Sequence, residues 1–388
     1  MASDHQSGGS LLRRIRLRKA SGTAKPLTQR GGANHLDYRV QRENVAVQFV
    51  SRNRRRRALL LGALALGALR QRTFAAGTRE VRISKGFGIL YLPLLVMEKM
   101  QLLEKHAVRH NAGDVVVRWV LLDGGSSIND AMMANTLDFA GTGAPGFIDL
   151  WSKARGIPNV EVVGVSGLSA TSLWLNSNRK EIRSLHDFTA ADRIAVPGIK
   201  TSLSAVVLQM ASAKILGASR FADLDAITVN YPHPEAMRAL IAREQGITAH
   251  FTSPPFSYLE VQYKNVHRVL SSVDVLGNIT LDVVFAPKKF TDSNPELVSA
   301  FLDALDEANH FIATNVEAAA AMFVAASKVT VSVGAVTEML RDPDTRYSTI
   351  PHQVMDYMDF LYSIGTIKNK AQALNELFVP QLWARHRT

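Results

Sequence analysis

The chain has 388 residues, 47% of them hydrophobic, no cysteine, and a formal net charge of +11. Without thiols it can hold no disulfide framework, no thiolate metal site and no cysteine nucleophile. The charge is unevenly placed: residues 1–77 carry 16 Lys+Arg against 3 Asp+Glu, leaving 29 against 31 in residues 78–388, so the body of the chain lacks the basic surplus that a nucleic-acid partner requires.

Residues 1–50 are polar, Arg-rich and without sustained periodicity, and read as a disordered extension or a wrongly chosen start, outside the fold. Residues 51–77 read as an export signal. Arg54 to Arg57 run into a twelve-residue apolar stretch from Ala58 to Leu69, followed by Thr73, Phe74, Ala75 and Ala76, a layout too short to span a bilayer stably. Arg56-Arg57-Ala58-Leu59-Leu60 loosely resembles a twin-arginine signal, and ordinary secretion fits equally well. The working protein is expected to begin near Gly77. With no cysteine to carry a lipid, it is expected to be a free periplasmic protein and a monomer.

The remaining stretch of about 310 residues suggests two lobes, at roughly 100–200 residues per domain. Strands are expected at 81–84, 115–121, 137–140, 160–164, 193–196, 227–230, 247–252 and 266–271, alternating with helical patterns in the manner of βαβ units that build parallel sheets. One helical pattern opens at Leu92, with Pro93 where a first turn tolerates it. From about Pro295 the strands stop, and helices are expected at 295–312, 316–327, 333–340, 351–364 and near 369–377. Two extended segments, 172–176 and 279–285, separate one α/β block from the next and read as crossings between lobes. The lobes then comprise 78–173 plus 281–388, and 178–275. The fold class is α/β, with two lobes, two crossover segments and a helical C-terminal tail.

Five strand ends lead into turns of small residues that open a helix: Gly86 to Leu90, Asp123 to Ser127, Gly141 to Gly146, Pro197 to Ser202 and Tyr231 to Glu235. In an open α/β sheet, ligands sit beyond the carboxyl ends of strands, where helix N-termini converge. Small residues let the backbone approach, and Ser or Thr hydroxyls can cap the helix or donate to an oxyanion. Within these turns Lys200 could neutralise a carboxylate or sulfonate, or simply be solvated. His233, between two prolines, could touch ligand or water. Phe87 and Phe256 could sandwich an apolar tail or fill core, whereas Trp174 is expected to pack at a crossing.

An enzymatic alternative rests on Gly141-Thr142-Gly143-Ala144-Pro145-Gly146, which fits G-x-G-x-x-G and would make the chain a nucleotide-dependent enzyme. The acidic partner such a site needs at the end of the next strand is misplaced, since Glu161 opens that strand. No P-loop, H-E-x-x-H or G-x-S-x-G motif occurs. The eleven histidines read as scattered, so no metal and no cofactor are expected.

Several stretches in order resemble the substrate-binding proteins of nitrate/sulfonate/taurine-type ABC importers, from Val81 to about Leu377. They are Tyr91-Leu92-Pro93-Leu94 with Glu98-Lys99, Gly124-Gly125-Ser126, Leu137-Asp138-Phe139-Ala140-Gly141-Thr142-Gly143, Ile182-Arg183-Ser184-Leu185-His186-Asp187-Phe188, Ile194-Ala195-Val196-Pro197-Gly198 and Asn294-Pro295-Glu296-Leu297-Val298. The resemblance implies a type II periplasmic-binding fold, a two-lobed clamp that closes on a small organic anion and delivers it to an ABC permease and its ATPase, with no catalysis. It also implies ligand-facing positions at Phe87, Gly88, Ile89, Gly125, Ser126, Thr142, Gly143, Ala144, Ser169, Ala170, Lys200, Thr201, Ser202, Pro255 and Phe256. Two departures touch ligand identity: Pro254 replaces the usual aromatic before Pro255, and His233 stands where a plainer residue is common.

Overall fold

The structure, a computed structural model, describes residues 78–122 and 124–385. The expected extension, the export signal and Asp123 of the second turn lie outside the described residues.

The chain enters on β1 (Arg79–Lys85), whose Val81 and Ile83 are buried, and runs through the helices α1 (Leu92–Met100) and α2 (Leu102–Arg109). Gln101 separates the two helices in a left-handed conformation at φ 52. Then come β2 (Val115–Leu121), α3 (Gly125–Met133), β3 (Phe139–Gly143), α4 (Ala144–Ala154) and β4 (Val162–Ala170). The second lobe holds β5 (Trp174–Ser177), β6 (Ile194–Val196), α5 (Leu203–Ile215), β7 (Thr228–Asn230), α6 (His233–Ala242), β8 (Ala249–Thr252), α7 (Phe256–Glu260), β9 (His267–Ser271) and α8 (Ser272–Leu276). The return to the first lobe is β10 (Asp282–Pro287), followed by α9 (Lys288–Ser293), α10 (Pro295–Thr314), α11 (Val316–Ala326) and α12 (Val333–Arg341). A short strand β11 (Arg346–Tyr347) and α13 (Val354–Ser363), α14 (Leu374–Leu377) and α15 (Pro380–Ala384) complete the described chain.

The first sheet has the order β11-β4-β10-β3-β1-β2 and the second β7-β6-β8-β5-β9. Neither is purely parallel, which corrects the expectation from the alternating pattern. β1 pairs with β2 and β3 in parallel, but β10 inserts antiparallel between β3 and β4. In the other lobe β6 pairs in parallel with β7 and β8, and β5 lies antiparallel between β8 and β9. Each crossing segment thus becomes an interior strand of the sheet it enters, and reverses direction because it arrives from the other lobe instead of through a βαβ crossover.

Boundaries shift for identifiable reasons. β3 begins at Phe139, because Asp138 is held before it, accepting from the Arg82 backbone N–H at 2.8 Å and from its guanidinium. It then runs through Gly141 and Gly143, residues of low strand propensity, because β10 supplies a ladder on that side. The helix expected from 351 starts at Val354, after Gln353 at φ 53. The helix expected near 369–377 shrinks to Leu374–Leu377, a further short helix follows at Pro380–Ala384, and β11 interrupts the helical tail by pairing with β4.

One core of apolar side chains joins the first sheet, its helices and part of the second lobe. A smaller cluster, including Ala236, Leu240 and Ile247, sits under the outer face of the second lobe. The tail folds back on the first lobe: Phe378 lies against Gly164, and the Val379 N–H donates to the Gly164 carbonyl at 2.8 Å.

Candidate functional site

The carboxyl ends of β1 and β3 face those of β6 and β8, and the gap between them holds a cavity of about 50 Å³. The first lobe contributes Phe87 and Tyr91 after β1, Gly125 at the start of α3, Thr142 and Gly143 from β3, and Asp282 from β10. The second contributes Ser202 and Ser204 at the start of α5, His233 at the start of α6, and Ser253. An adjoining chamber of about 330 Å³ shares Phe87 and Tyr91 and is walled by Leu92, Leu95, Pro234 and Phe323, with Lys85 and Lys328 also in its lining.

Glycines let the lobes meet. A Cβ on Gly143 would come within 2.8 Å of Leu203 Cβ, and one on Gly88, at φ +88, within 2.9 Å of the Pro254 carbonyl. Gly124, at φ +79, faces the Pro197 carbonyl across the same seam. The Ile89 N–H donates to the Pro254 carbonyl at 3.3 Å, a main-chain bond between lobes.

Of the positions read from the sequence, Phe87, Gly125, Thr142, Gly143, Ser202 and His233 line the cavity. Gly88, Pro255 and Phe256 line the adjoining chamber. Ile89 is buried at the seam, and Ala144 lies behind Gly143, its N–H given to the Leu281 carbonyl. Ser169 and Ala170 line a different pocket of about 220 Å³, with Asn278 and Thr280. Ser126, Lys200 and Thr201 are exposed and outside the cavity. For these three the reason is local geometry. Ser126 stands on the solvent side of the first turn of α3, and Ser202, not Thr201, is the N-cap of α5, accepting from the Ala205 N–H at 3.2 Å. Lys200, at φ 64, turns outward with Nζ 3.9 Å from Asp225. Trp174 does pack at the crossing, stacked on Tyr258 at 4.2 Å.

The sequence reading missed Tyr91, Ser253 and, above all, Asp282. Its signal was a lone acid in the apolar run Leu281-Asp282-Val283-Val284-Phe285. The carboxyl is 1% exposed, accepts from Tyr91 Oη at 3.1 Å, and leaves Oδ2 without a partner. Burial pushes its pKa up to about 7, against the pull of Tyr91 and of a poorly aligned Ser169 hydroxyl. Thr142 Oγ1 is likewise buried and unpartnered.

Also missed was a buried polar chain behind His233. Glu260 accepts from His250 Nδ1 at 2.5 Å and from Asn176 Nδ2 at 2.9 Å, and all three residues are fully buried. His250 Nε2 lies 2.9 Å from His233 Nδ1, and Thr252 Oγ1 is 3.0 Å from that same nitrogen. Burial, with the His250 charge beside it, holds the His233 pKa well below the usual histidine range. Where His233 Nδ1 accepts, as from the Thr252 hydroxyl, the neutral ring carries its own proton on Nε2 as a donor. Its ring stacks on Phe256 at 5.5 Å, so Phe256 supports the histidine as well as the chamber wall.

The G-x-G-x-x-G match has a packing explanation. A Cβ on Gly141 would meet Leu94 at 2.8 Å, Gly143 faces Leu203, and Gly146 lies against the Gly125 Cα. The reading of the histidines as scattered also needs correction, since His106 and His110 stand four residues apart at α2.

Two α/β lobes, two crossing strands and a cavity at the strand ends of both lobes define the periplasmic-binding-protein fold, type II, as the resemblance implied. The solved structures agree. The chain is similar to the periplasmic aliphatic sulphonate binding protein SsuA from Escherichia coli, with 17% identity, TM-score 0.59, and coverage of 79% of this chain and 99% of that one. It is similar to the alkanesulfonate-binding protein SsuA from Xanthomonas axonopodis pv. citri bound to MOPS, with 16% identity, TM-score 0.60, and coverage of 79% and 99%. The periplasmic nitrate-binding protein NrtA from Synechocystis PCC 6803 has 12% identity and TM-score 0.60, with coverage of 79% and 87%. No protein-family model matches the sequence, and no curated protein does.

Proposed function

We propose that the protein is the periplasmic solute-binding component of an ABC importer, which captures a small organic anion with a sulfonate- or carboxylate-like head by lobe closure and delivers it to a permease and its ATPase. One observation carries the reading: the cavity takes its walls from both lobes, so a solute inside it stabilises the state in which they meet. The sulfonate- and nitrate-binding proteins of the same fold support the anion class. No helix among the described residues is long and apolar enough to cross a membrane.

The chemistry follows from the wall. Helix starts at Gly125 and Ser202 favour negative charge through the positive ends of their dipoles, and His233 adds a neutral N–H. Asp282 would repel an anion when ionised, but as a carboxylic acid it becomes a donor. The apolar chamber gives a tail its place.

Calorimetry of the purified protein against alkanesulfonates, aliphatic and aromatic carboxylates and nitrate tests this. An organic anion is expected to bind at a Kd near about 1 μM, roughly −8 kcal/mol. Affinity is expected to fall by about tenfold per pH unit above pH 8 as Asp282 ionises. Binding that strengthens with rising pH, or a bound anion touching one lobe only, would sink the reading.

A further inference from the structure

A cluster outside both the cavity and the chamber has the composition of a metal site. His106 and His110 stand one helical turn apart at α2, and Asp303 and Glu307 stand one turn apart on α10, which packs against α2. The i, i+4 spacing stacks the two imidazoles on one helix face and the two carboxylates on the other. Across the gap His106 Nε2 is 2.7 Å from Glu307 Oε2, and His110 Nε2 is 2.5 Å from Asp303 Oδ2. The ligand atoms of His106, His110 and Asp303 lie within 4.8 Å of one another.

We propose that His106, His110, Asp303 and Glu307 form a structural site for a divalent transition metal of the zinc class, tying α10 to α2 in the first lobe. Two neutral imidazoles and two carboxylates match both the tetrahedral N/O set and the charge of such an ion. Bond lengths of about 2.0–2.2 Å place ligand atoms a little over 3 Å apart, so the pairs His106–Glu307 and His110–Asp303 must open while the two pairs draw together. The half-exposed His110, Asp303 and Glu307 can supply that movement, while buried His106 anchors the site. Arg385 provides the outer support. It binds Asp303 through Oδ1 and Asp306 at 2.6 Å, leaving Asp303 Oδ2 turned towards His110. The competing cation is Arg109, whose Nη1 lies 3.4 Å from His106 Nε2 and 3.6 Å from Glu307. Its side chain is 62% exposed and free to withdraw.

The test is zinc chloride titrated calorimetrically into purified, tag-free protein after chelator treatment, at pH 7.5. One equivalent is expected to bind and to raise the Tm, with magnesium chloride giving no heat. His110→Gln is expected to weaken zinc by about tenfold or more, and Arg109→Gln, which removes the competitor and no ligand, to tighten it by several fold. His110→Gln is half-exposed and keeps a polar group, and its Tm without metal checks that it folds. Absence of zinc binding at millimolar concentration, or equal affinity in His110→Gln and the parent, overturns the proposal. Weaker binding in Arg109→Gln does so too.

Discussion

Asp282 and His233 face one cavity and titrate in opposite senses. The Asp282 carboxyl has a folded pKa of about 7 against a reference near 4, so between those values the native state holds a proton that the unfolded chain has lost. Stability from this group is therefore fully present below about pH 4 and lost progressively as pH rises from there through 7, on the order of 2–4 kcal/mol in all. His233 does the reverse. Its folded pKa is depressed, so the unfolded chain takes a proton below about 6.5 that the native state refuses, and stability falls as pH drops. The two slopes oppose each other in the parent. Asp282→Asn removes one of them: the variant is expected to unfold at higher denaturant than the parent at pH 8, and to lose stability steadily from pH 7 to pH 5. Parallel curves for the two proteins would show that Asp282 is not the titrating group.

At the scale of elements, the helix starts carry the site, and the glycines there serve distance as much as conformation. Gly143 closes β3 against Leu203 at the start of α5, so Gly143→Ala forces apart elements from different lobes. It is expected to weaken ligand binding by about 1–3 kcal/mol while shifting the Tm of the ligand-free protein little, as paired calorimetry and thermal melts would reveal; an unchanged affinity would remove the seam from the mechanism. These turns were legible in the sequence because small residues after β-rich runs are a local signal. Phe87, Thr142, Gly143, Ser202 and His233 could be found that way. Strand partners could not be. Nothing in Asp282–Pro287 or Trp174–Ser177 encodes that each enters a sheet antiparallel between two others, and without that register Asp282 is only an acid in an apolar run. Thr201 and Ser202 were inseparable for a related reason: which hydroxyl caps the helix depends on a backbone angle, and the cap takes the inward position. The His250–Glu260 pair joins a strand to a helix ten residues on, a contact with no sequence period.

For the whole molecule, the lobes also meet at contacts far from the cavity. Tyr258, stacked on Trp174 in the second lobe, reaches Asp342 at the end of α12 in the first, and Phe221 meets Phe360 edge-on at 6.1 Å. Burial and the Asp342 carboxylate both push the Tyr258 pKa above its ordinary value, so the phenol stays protonated and donates at any physiological pH. Both contacts join residues of different lobes, so under the proposed clamp mechanism they favour the closed state without ligand, and apparent affinity scales with the closed fraction. Tyr258→Phe removes the hydroxyl and keeps the stacked ring. With a hydrogen bond to a carboxylate worth about 1.5–3 kcal/mol, the variant is expected to lose roughly tenfold in affinity. Its radius of gyration without ligand is expected to exceed the parent's by small-angle scattering, and to return to the parent's value when ligand saturates. A variant as compact as the parent without ligand, binding with the same affinity, would mean that the Tyr258–Asp342 contact does not bias closure, and that the cavity wall alone sets it.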